Sequence, residues 1–366
     1  CANEMNNLEN DYDNNCGKIS TDSGLKLLWG DIHRHSGYSR CAPHFDGGMW
    51  DHYLRALYSE KLDFYSLTDH VNQIEPGGLN RIKQFTEMFT LNGKFTPFYG
   101  IEQEMKCGHV NYYARNFSDW ELMIELLLWA RKQFNWNYRK EYKLLKDHGF
   151  RDCRILAVRH YHADGFPFEE QLEIDRDLEV GIEVVQIRGW SPKTVADYLD
   201  RGYKFGFIGS SDHASPYWNR QWKEVPGWVF KQALTGLWSE DNSIDAVFDS
   251  FKQRRFFATN GERIAVDFKI NNLFMGQEGT LIGIPEIKVK VECSTELERV
   301  EILRDNKLVH MCFPKEKGNS EGVFEFFDEN VLPGNHQYYI RVFQVPSENK
   351  TYFGEAWSSP IWVEIK

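Results

Sequence analysis

Two histidines stand two positions apart in Trp29-Gly-Asp-Ile-His-Arg-His-Ser-Gly-Tyr-Ser39, directly after the short apolar run that begins at Leu25. On a strand, side chains at i and i+2 share a face. His33 and His35 therefore present two imidazoles together, where Gly37 marks the strand giving way to a loop. That is half of a metal site. Such a pair also arises by chance as solvated or core-satisfied histidines, so the rest of the chain decides. Of the 12 histidines, ten precede residue 214, and seven of these (33, 35, 70, 109, 160, 162 and 213) mark the ends of apolar runs. Glu102 and Asp212 stand at two more. Imidazoles with a few carboxylates suit Zn, Fe or Mn rather than the all-oxygen shell of Ca or Mg. One carboxylate bridging two cations would hold them about 3.5–4 Å apart, the spacing at which two metals activate water and clamp a transferred phosphoryl group. His52 and His148 fall within predicted helices and read as surface residues.

The elements that must position these groups form a repeating pattern. Apolar runs end in polar or metal-capable residues at Leu62–His70, Phe95–Glu102, His109–Ala114, Arg154–His160, Gly181–Arg188 and Lys204–Asp212. Helical patterns lie between them, over roughly 49–60, 79–90, 118–148, 168–175 and 192–201. Ser118 with Glu121 three residues later fits a capping box for the longest. Strand–helix alternation argues a parallel α/β fold. About seven strands predict a closed or distorted (β/α) barrel, whose chemistry sits at the C-terminal strand ends. Residues 1–24 are polar and Asn-rich and read as a flexible tail, leaving 25–262 for the barrel. From 263 to 366 the texture becomes short alternating strands separated by turns such as Asp305-Asn306 and Pro333-Gly334-Asn335, which predicts a small antiparallel β-sandwich.

At 366 residues, with 42% hydrophobic and 15% aromatic residues, the chain can bury a large core, and one large domain plus a smaller one is expected. Net charge is 43 − 54 = −11, which argues against nucleic-acid backbone as the main partner. No apolar run is long enough to span a membrane. Seven scattered cysteines without Cys-x-x-Cys spacing read as mostly free thiols. The start at Cys1 fits either a lipoprotein after signal cleavage or a chain lacking its initiator Met, so both a cytoplasmic and an exported location stay open.

Four motifs, Gly30-Asp-Ile-His-Arg-His35, Leu67-Thr-Asp-His70, Gly100-Ile-Glu102 followed by Gly108-His109, and Gly209-Ser-Ser-Asp-His213, resemble in order and context the polymerase-and-histidinol-phosphatase (PHP) superfamily of metal-dependent hydrolases. Phe256–Glu262 and Ala356–Trp362 look like an uncharacterised bacterial branch of it, a domain of unknown function (DUF3604-like) with a β-rich C-terminal region. The resemblance spans nearly all of 25–366. It implies a distorted seven-stranded PHP barrel holding two or three divalent transition metal ions. By motif, His33, His35, Glu102 and Asp212 would hold one, with Glu102 bridging to a second completed by His109 and His160, or by His162 as partner or rival. His70 and His213 would belong to a third. Two departures stand out. Asp212 and His213 are adjacent where the family separates them by one residue, and Arg40 and Cys41 stand where a further ligand is usual, leaving His44 or Asp46 as substitutes.

The resemblance implies a phosphoesterase with Asp212 and His213 at the reacting centre. Arg34, Arg40, Arg159 and Arg188 are candidates to clamp an anionic substrate oxygen, and Arg188 is preferred. Arg34 and Arg159 should point away from their histidine neighbours. Tyr217, Trp218, Arg220 and Trp222 follow Asp212-His213 in an aromatic-rich stretch that would either stack on a sugar or base ring or pack the loop onto the protein. The alternatives are a metal-dependent hydrolase of a glycan, and a non-catalytic binding protein on the same scaffold.

Overall fold

Strand β1 (Lys26–Asp31) leads into the histidine pair, and its last four residues are buried. The computed structural model describes residues 19, 21, 23–41, 47–75, 77–105, 108–134, 137–152, 154–160, 175, 178–186, 189–214, 232–346 and 353–366. On one side β1 pairs in parallel with β2 (Phe64–Tyr65), which pairs in parallel with β3 (Thr96–Pro97). On the other side it pairs antiparallel with β10 (Leu234–Ser239), followed by β11 (Phe256–Thr259). A second sheet runs from β4 (Tyr99–Met105) through β5 (Gly108–Ala114) and β6 (Ile155–His160) to β7 (Glu179–Gln186), with β8 (Gly189–Trp190) and β9 (Gly206–Gly209) both on β7.

The expected barrel is therefore not one closed sheet: its strands divide between two open ones. Nor is it all parallel. β5 runs antiparallel to both β4 and β6, because two residues between β4 and β5 leave room only for a hairpin and none for a crossover. The run Leu62–His70 makes only a two-residue strand. Its buried polar side chains take over beyond that point, as when Ser66 Oγ donates to the Phe98 carbonyl at 3.0 Å. Two isolated bridges then join the sheets, His70 to Glu102 and Arg34 to His213. At the first, Glu102 N donates to Asp69 O and Val71 N to Glu102 O; at the second, Asp212 N donates to His33 O and His35 N to His213 O. Gly100 permits the first approach, since a Cβ there would lie 2.8 Å from the Leu67 carbonyl.

The helices Met49–Leu54, Gly78–Phe89, Phe117–Phe134, Tyr138–Asp147, Pro192–Asp200 and Ile244–Lys252 cover the sheets. The long pattern 118–148 is two helices, and Asn116 opens the first by accepting from Asp119 N at 2.9 Å, in place of the expected Ser118 cap. The predicted segment 168–175 lies outside the described residues except for Asp175. No helix among the described residues is long and apolar enough to cross a membrane.

In the C-terminal part, β12 (Ala265–Ile270), β13 (Leu273–Phe274), β15 (Glu286–Glu292) and β18 (Glu321–Phe327) form an antiparallel sheet. β14 (Glu278–Leu281), β16 (Leu297–Arg304), β17 (Lys307–Cys312), β19 (Gly334–Gln344), β20 (Gly354–Ser358) and β21 (Ile361–Ile365) form the other, in which β14 and β21 are parallel. Inward residues of both, such as Phe268, Val289, Ile302 and Ile340, share one buried cluster. Asp305 and Asn306, both at positive φ, make the tight β16–β17 turn. β20 pairs with β11, so the second of these sheets is continuous with the one that holds β1.

Glu141, on the helix Tyr138–Asp147, is buried against β5 and accepts from the Tyr112 hydroxyl at 3.1 Å. Burial pushes its carboxyl up to about 8, against the smaller downward pull of hydrogen bonds from Tyr112 and Gln103. The folded chain thus keeps a proton that the unfolded chain releases near pH 4.5. Glu141 favours the folded state fully below that pH and loses this contribution as pH rises through about 8. Glu141→Gln should match the wild type in denaturant unfolding at about pH 4.5 and exceed it at about pH 8.5 by a few kcal/mol, since each tenfold difference in proton affinity between folded and unfolded chain is worth roughly 1.4 kcal/mol.

Candidate metal centre

The two bridges between the sheets bring the chemistry together. His33 and His35 lie just past β1, His70 past β2, Glu102 on β4, His109 on β5, His160 at the end of β6, and Asp212 just past β9. All but His109 and Asp212 are buried. His33 Nε2 lies 3.2 Å from His35 Nε2 and 3.3 Å from Asp212 Oδ1. His35 Nε2 lies 3.3 Å from Asp212 Oδ1 and 3.2 Å from Glu102 Oε2, and the span from His33 Nε2 to Glu102 Oε2 is 3.8 Å. Four donors at 2.0–2.1 Å around a tetrahedral cation would be about 3.3–3.4 Å apart. The five spans from His33 and His35, 3.2 to 3.8 Å, are close to that spacing.

Glu102 turns its second oxygen the other way. Its Oε1 is 2.6 Å from His109 Nδ1 and 2.8 Å from His160 Nε2, while Oε2 is 3.2 Å from His70 Nδ1. Glu102 Oε2 and His70 Nδ1 are buried and form no hydrogen bond with each other or with any other described group. Two orphaned polar atoms facing the same small space suit a cation there better than an empty core. Donor sets able to hold a metal ion comprise His33, His35 and Glu102; His70, Glu102 and His109; His33, His160 and Glu183; and His35, Cys41 and His70.

The far side of each ring is also fixed. His33 Nδ1 faces Glu183 Oε1 at 2.8 Å, and Asn111 Nδ2 donates to the same oxygen at 3.3 Å. His35 Nδ1 faces Ser39 Oγ at 2.9 Å, and that hydroxyl donates to Asp69 at 2.6 Å. With Nδ1 as the donor in both rings, both Nε2 lone pairs point into the cluster. Asp31 anchors the Asp212 loop, accepting from the backbone N–H and hydroxyl of Ser211, from His33 N and from Arg34 Nε. Glu183 and Asp69 escape a sequence reading because Glu183 lies inside the apolar run of β7 and Asp69 precedes His70, the more obvious ligand. The inward alternation of β7 was the available signal.

The electrostatics agree with the geometry. Burial alone would make His33 and His35 give up their protons more easily, yet the pKa of each is raised well above the ordinary value, His33 by Glu183 and Asp212 and His35 by Glu102 and Asp212. Burial alone would raise Glu102 and Asp212, yet the imidazoles hold both carboxyls well below the usual range. Burial, with His33 beside it, lowers His160. Burial would push the Cys41 thiol up, but His35 and His70 draw it down to about 7. A field that retains protons on imidazoles favours any cation in their place.

Other candidates fall elsewhere. Arg34 is buried against Asp31 and Glu60, Arg159 against Glu179, and Arg40 pairs with Glu75 at the surface. His213 is buried at the same strand end, and the donor sets found among the described residues do not include it. His52, expected at the surface, is buried between the Ala214 carbonyl at 3.2 Å and the Tyr65 hydroxyl at 3.3 Å, and burial pushes it well down. His148 is exposed, with Nδ1 on the Leu144 carbonyl. His162, Arg188, Tyr217, Trp218, Arg220, Trp222, His44 and Asp46 lie outside the described residues. The cation on the described rim that the sequence did not single out is Arg131, 3.6 Å from Glu104, which in turn is 4.0 Å from His70 Nδ1.

A family model described as a protein of unknown function (DUF3604) matches residues 218–278. Uncharacterized proteins of Chlamydia are similar to this chain: one from C. muridarum is 27% identical over 56% of the chain and 32% of its own length. One from C. trachomatis is 27% identical over 73% of the chain and 42% of its own length. The chain thus spans about a third to two-fifths of the curated relatives it matches. A solved two-domain protein from Bacteroides vulgatus, described as containing a predicted PHP-like metal-dependent phosphoesterase, aligns over 96% of this chain and 98% of its own at 14% identity and a TM-score of 0.47.

Removing a carboxylate behind a ligand histidine typically weakens metal binding about 10–100-fold. Glu183→Gln keeps an acceptor for His33 Nδ1 but loses its charge. We expect a drop of that size in zinc affinity, measured by competition with a chromophoric chelator, with the fold unchanged by circular dichroism.

Proposed function

We propose that this chain is a metal-dependent hydrolase acting on phosphoesters. The observation that carries the reading is the convergence of His33 Nε2, His35 Nε2, Glu102 Oε2 and Asp212 Oδ1, with Glu102 Oε1 directed at His109 and His160. His33, His35, Glu102 and Asp212 would hold one divalent transition metal ion, and Glu102, His109 and His160 a second. Bound ions would supply Lewis acidity and a nucleophilic water at neutral pH. Two divalent cations against the two carboxylates Glu102 and Asp212 leave a net positive centre, which favours an anionic phosphoryl group over a neutral sugar.

The chain's own residues supply the rest. Glu183 and Ser39 fix the ring orientation of His33 and His35, so the donors need not reorganise during reaction. Burial of His33, His35, Glu102 and His160 keeps bulk water from the inner side. His109, Glu104 and Cys41 are the less buried members on the other side. Arg131, 3.6 Å from Glu104, would be the described cation nearest to hand for an anionic substrate approaching from the Glu104 side. The glycan reading depended on Tyr217, Trp218 and Trp222, and no described residue favours it.

Purified protein should contain transition metal on elemental analysis and hydrolyse p-nitrophenyl phosphate or its diester analogue. Chelation should abolish turnover and added Mn or Zn restore it. His33→Ala and Asp212→Asn should each cost roughly two orders of magnitude or more, the scale of losing a charge-stabilising group. Metal-free protein whose hydrolysis survives both substitutions would sink the reading, and metal binding without turnover of either ester would favour a binding protein.

A further inference from the structure

The helix Phe117–Phe134 buries Trp120, Met123, Ile124, Leu127 and Ala130, a stripe at three- and four-residue spacing. These side chains share one cluster with Ile101, Val110 and Tyr112, on the face of β4 and β5 turned away from the metal centre. The next position of the stripe, four past Leu127, is held by Arg131. Its height is set by the register of helix on strand. Trp120 meets Tyr99 at the start of β4, with ring centroids 5.6 Å apart. From Trp120 to Arg131 the helix climbs about 16–17 Å at 1.5 Å per residue, and from Tyr99 to Glu104 the strand climbs about as far at 3.3–3.4 Å per residue. Arg131 therefore arrives level with Glu104, and its Nη2 lies 3.6 Å from Glu104 Oε2. Glu104 shares the face of β4 that carries Glu102, and its other oxygen is 4.0 Å from His70 Nδ1. One carboxylate thus stands between the guanidinium and the centre, with an oxygen toward each. Both side chains reach solvent, Arg131 at 22% exposure and Glu104 at 32%. A contact of this length exceeds the about 2.7–2.9 Å of a charge-assisted hydrogen bond, so the two are held by charge and can part. A half-exposed pair adds little to stability, which gives no reason to seat an arginine on the apolar stripe of a helix.

We propose that Arg131 binds a second anionic group of the substrate, a carboxylate or a further phosphate carried on the alcohol side of the ester. This role rests on the phosphoester reading above and narrows its substrate class. The phosphoryl group under attack belongs among the converging donors. Arg131, a carboxylate's width further out, meets a group several bonds beyond it. The guanidinium offers a planar fork that matches the oxygens of either anion. Glu104 faces that fork in the free protein and gives way to the substrate's oxyanion, whereas a neutral hydroxyl does not displace it. The pair therefore selects for the second charge by excluding esters that lack it.

Three esters test this: glycerol phosphate; phosphoglycerate, in which the terminal hydroxymethyl is a carboxylate; and glycerol bisphosphate. Phosphate release by the metal-loaded full chain should show a higher kcat/KM for at least one double anion than for glycerol phosphate, carried by KM. Which of the two is preferred identifies the second group as carboxylate or phosphate. Arg131→Gln should lower the ratio of kcat/KM for that double anion to kcat/KM for glycerol phosphate by roughly ten- to a hundredfold, the scale of a hydrogen bond to a charged group. Arg131→Lys should recover part of the ratio, and Glu104→Gln, which removes the competing charge, should raise it. A wild type that hydrolyses glycerol phosphate or the p-nitrophenyl esters without preferring either double anion overturns the role of Arg131 and leaves the phosphoester reading standing. So does a preference that survives Arg131→Gln, or a loss on all three esters in proportion, as a merely structural pair would give. Hydrolysis of none of these esters overturns both.

Discussion

Glu102 is a carboxylate removed from water, with imidazoles on both of its oxygens. Desolvating one carboxylate costs several kcal/mol even after relaxation. His35, His109, His160 and His33 offset that cost, and in doing so they accumulate positive charge that the rings cannot all carry at once. His33 and His35 are driven toward the charged form while His160, in the same cluster, is driven away from it. Protons are a poor filling for such a cluster, since each repels the next across roughly 3–4 Å of low-dielectric interior. A cation held among the ring nitrogens would meet the same field without protonating any of them.

That constraint explains where the fold closes and where it does not. The two open sheets meet at His70–Glu102 and Arg34–His213, and both bridges are made by backbone within one residue of a donor side chain. A longer ladder there would have used regular strand at positions that instead turn side chains inward. Asp31, Asp69 and Glu183 substitute for it. Each is a buried acid that spends its oxygens on backbone N–H groups, serine hydroxyls or an imidazole of the centre. Asp212 sits at positive φ, a conformation Asp tolerates better than most residues and one that a tied loop can enforce.

Most of the cluster was legible in sequence because metal donors must come from strand ends, and apolar runs ending in His, Glu or Asp announce strand ends. His33, His35, His70, His160 and Asp212 are of that kind, whereas Glu102 lies within β4 and His109 near the start of β5. The supports were not legible. Ser39 reaches Asp69 across 30 residues of chain and His33 reaches Glu183 across 150, and no local pattern marks such a partner. Of the closed or distorted parallel barrel, closure and an all-parallel order were not to be had from sequence: alternation of strand and helix records each strand's environment but not its neighbour or direction, and the β4–β5 hairpin breaks the rule locally. His52 was misplaced because a helix position says nothing of which face it occupies. In the C-terminal part alternation marked strands such as β12, β15 and β19, and Asp305-Asn306 states its own turn, but the parallel pairing of β14 with β21 and the link of β20 to β11 left no local signal.

The continuity of the sheet through β11 and β20 ties this C-terminal part to the centre. β9 delivers Ser211 and Asp212, and it is held from behind: Phe207 N donates to Ser359 Oγ at 3.0 Å, and Gly209 N to Thr235 Oγ1 at 3.2 Å. Gly209 lies so close to β10 and β11 that a Cβ would come within 2.4 Å of the Leu234 carbonyl and 3.0 Å of that of Thr259. These are backbone atoms inside paired strands, so they cannot yield cheaply. Ser359 follows β20 directly, and its hydroxyl also reaches the Phe256 carbonyl of β11. The position of Asp212 is therefore set jointly by Asp31 from the front and by strands from both parts of the chain from behind. Donors that converge on one point tolerate errors of only about half an ångström. On this structure the C-terminal strands are part of what holds that spacing.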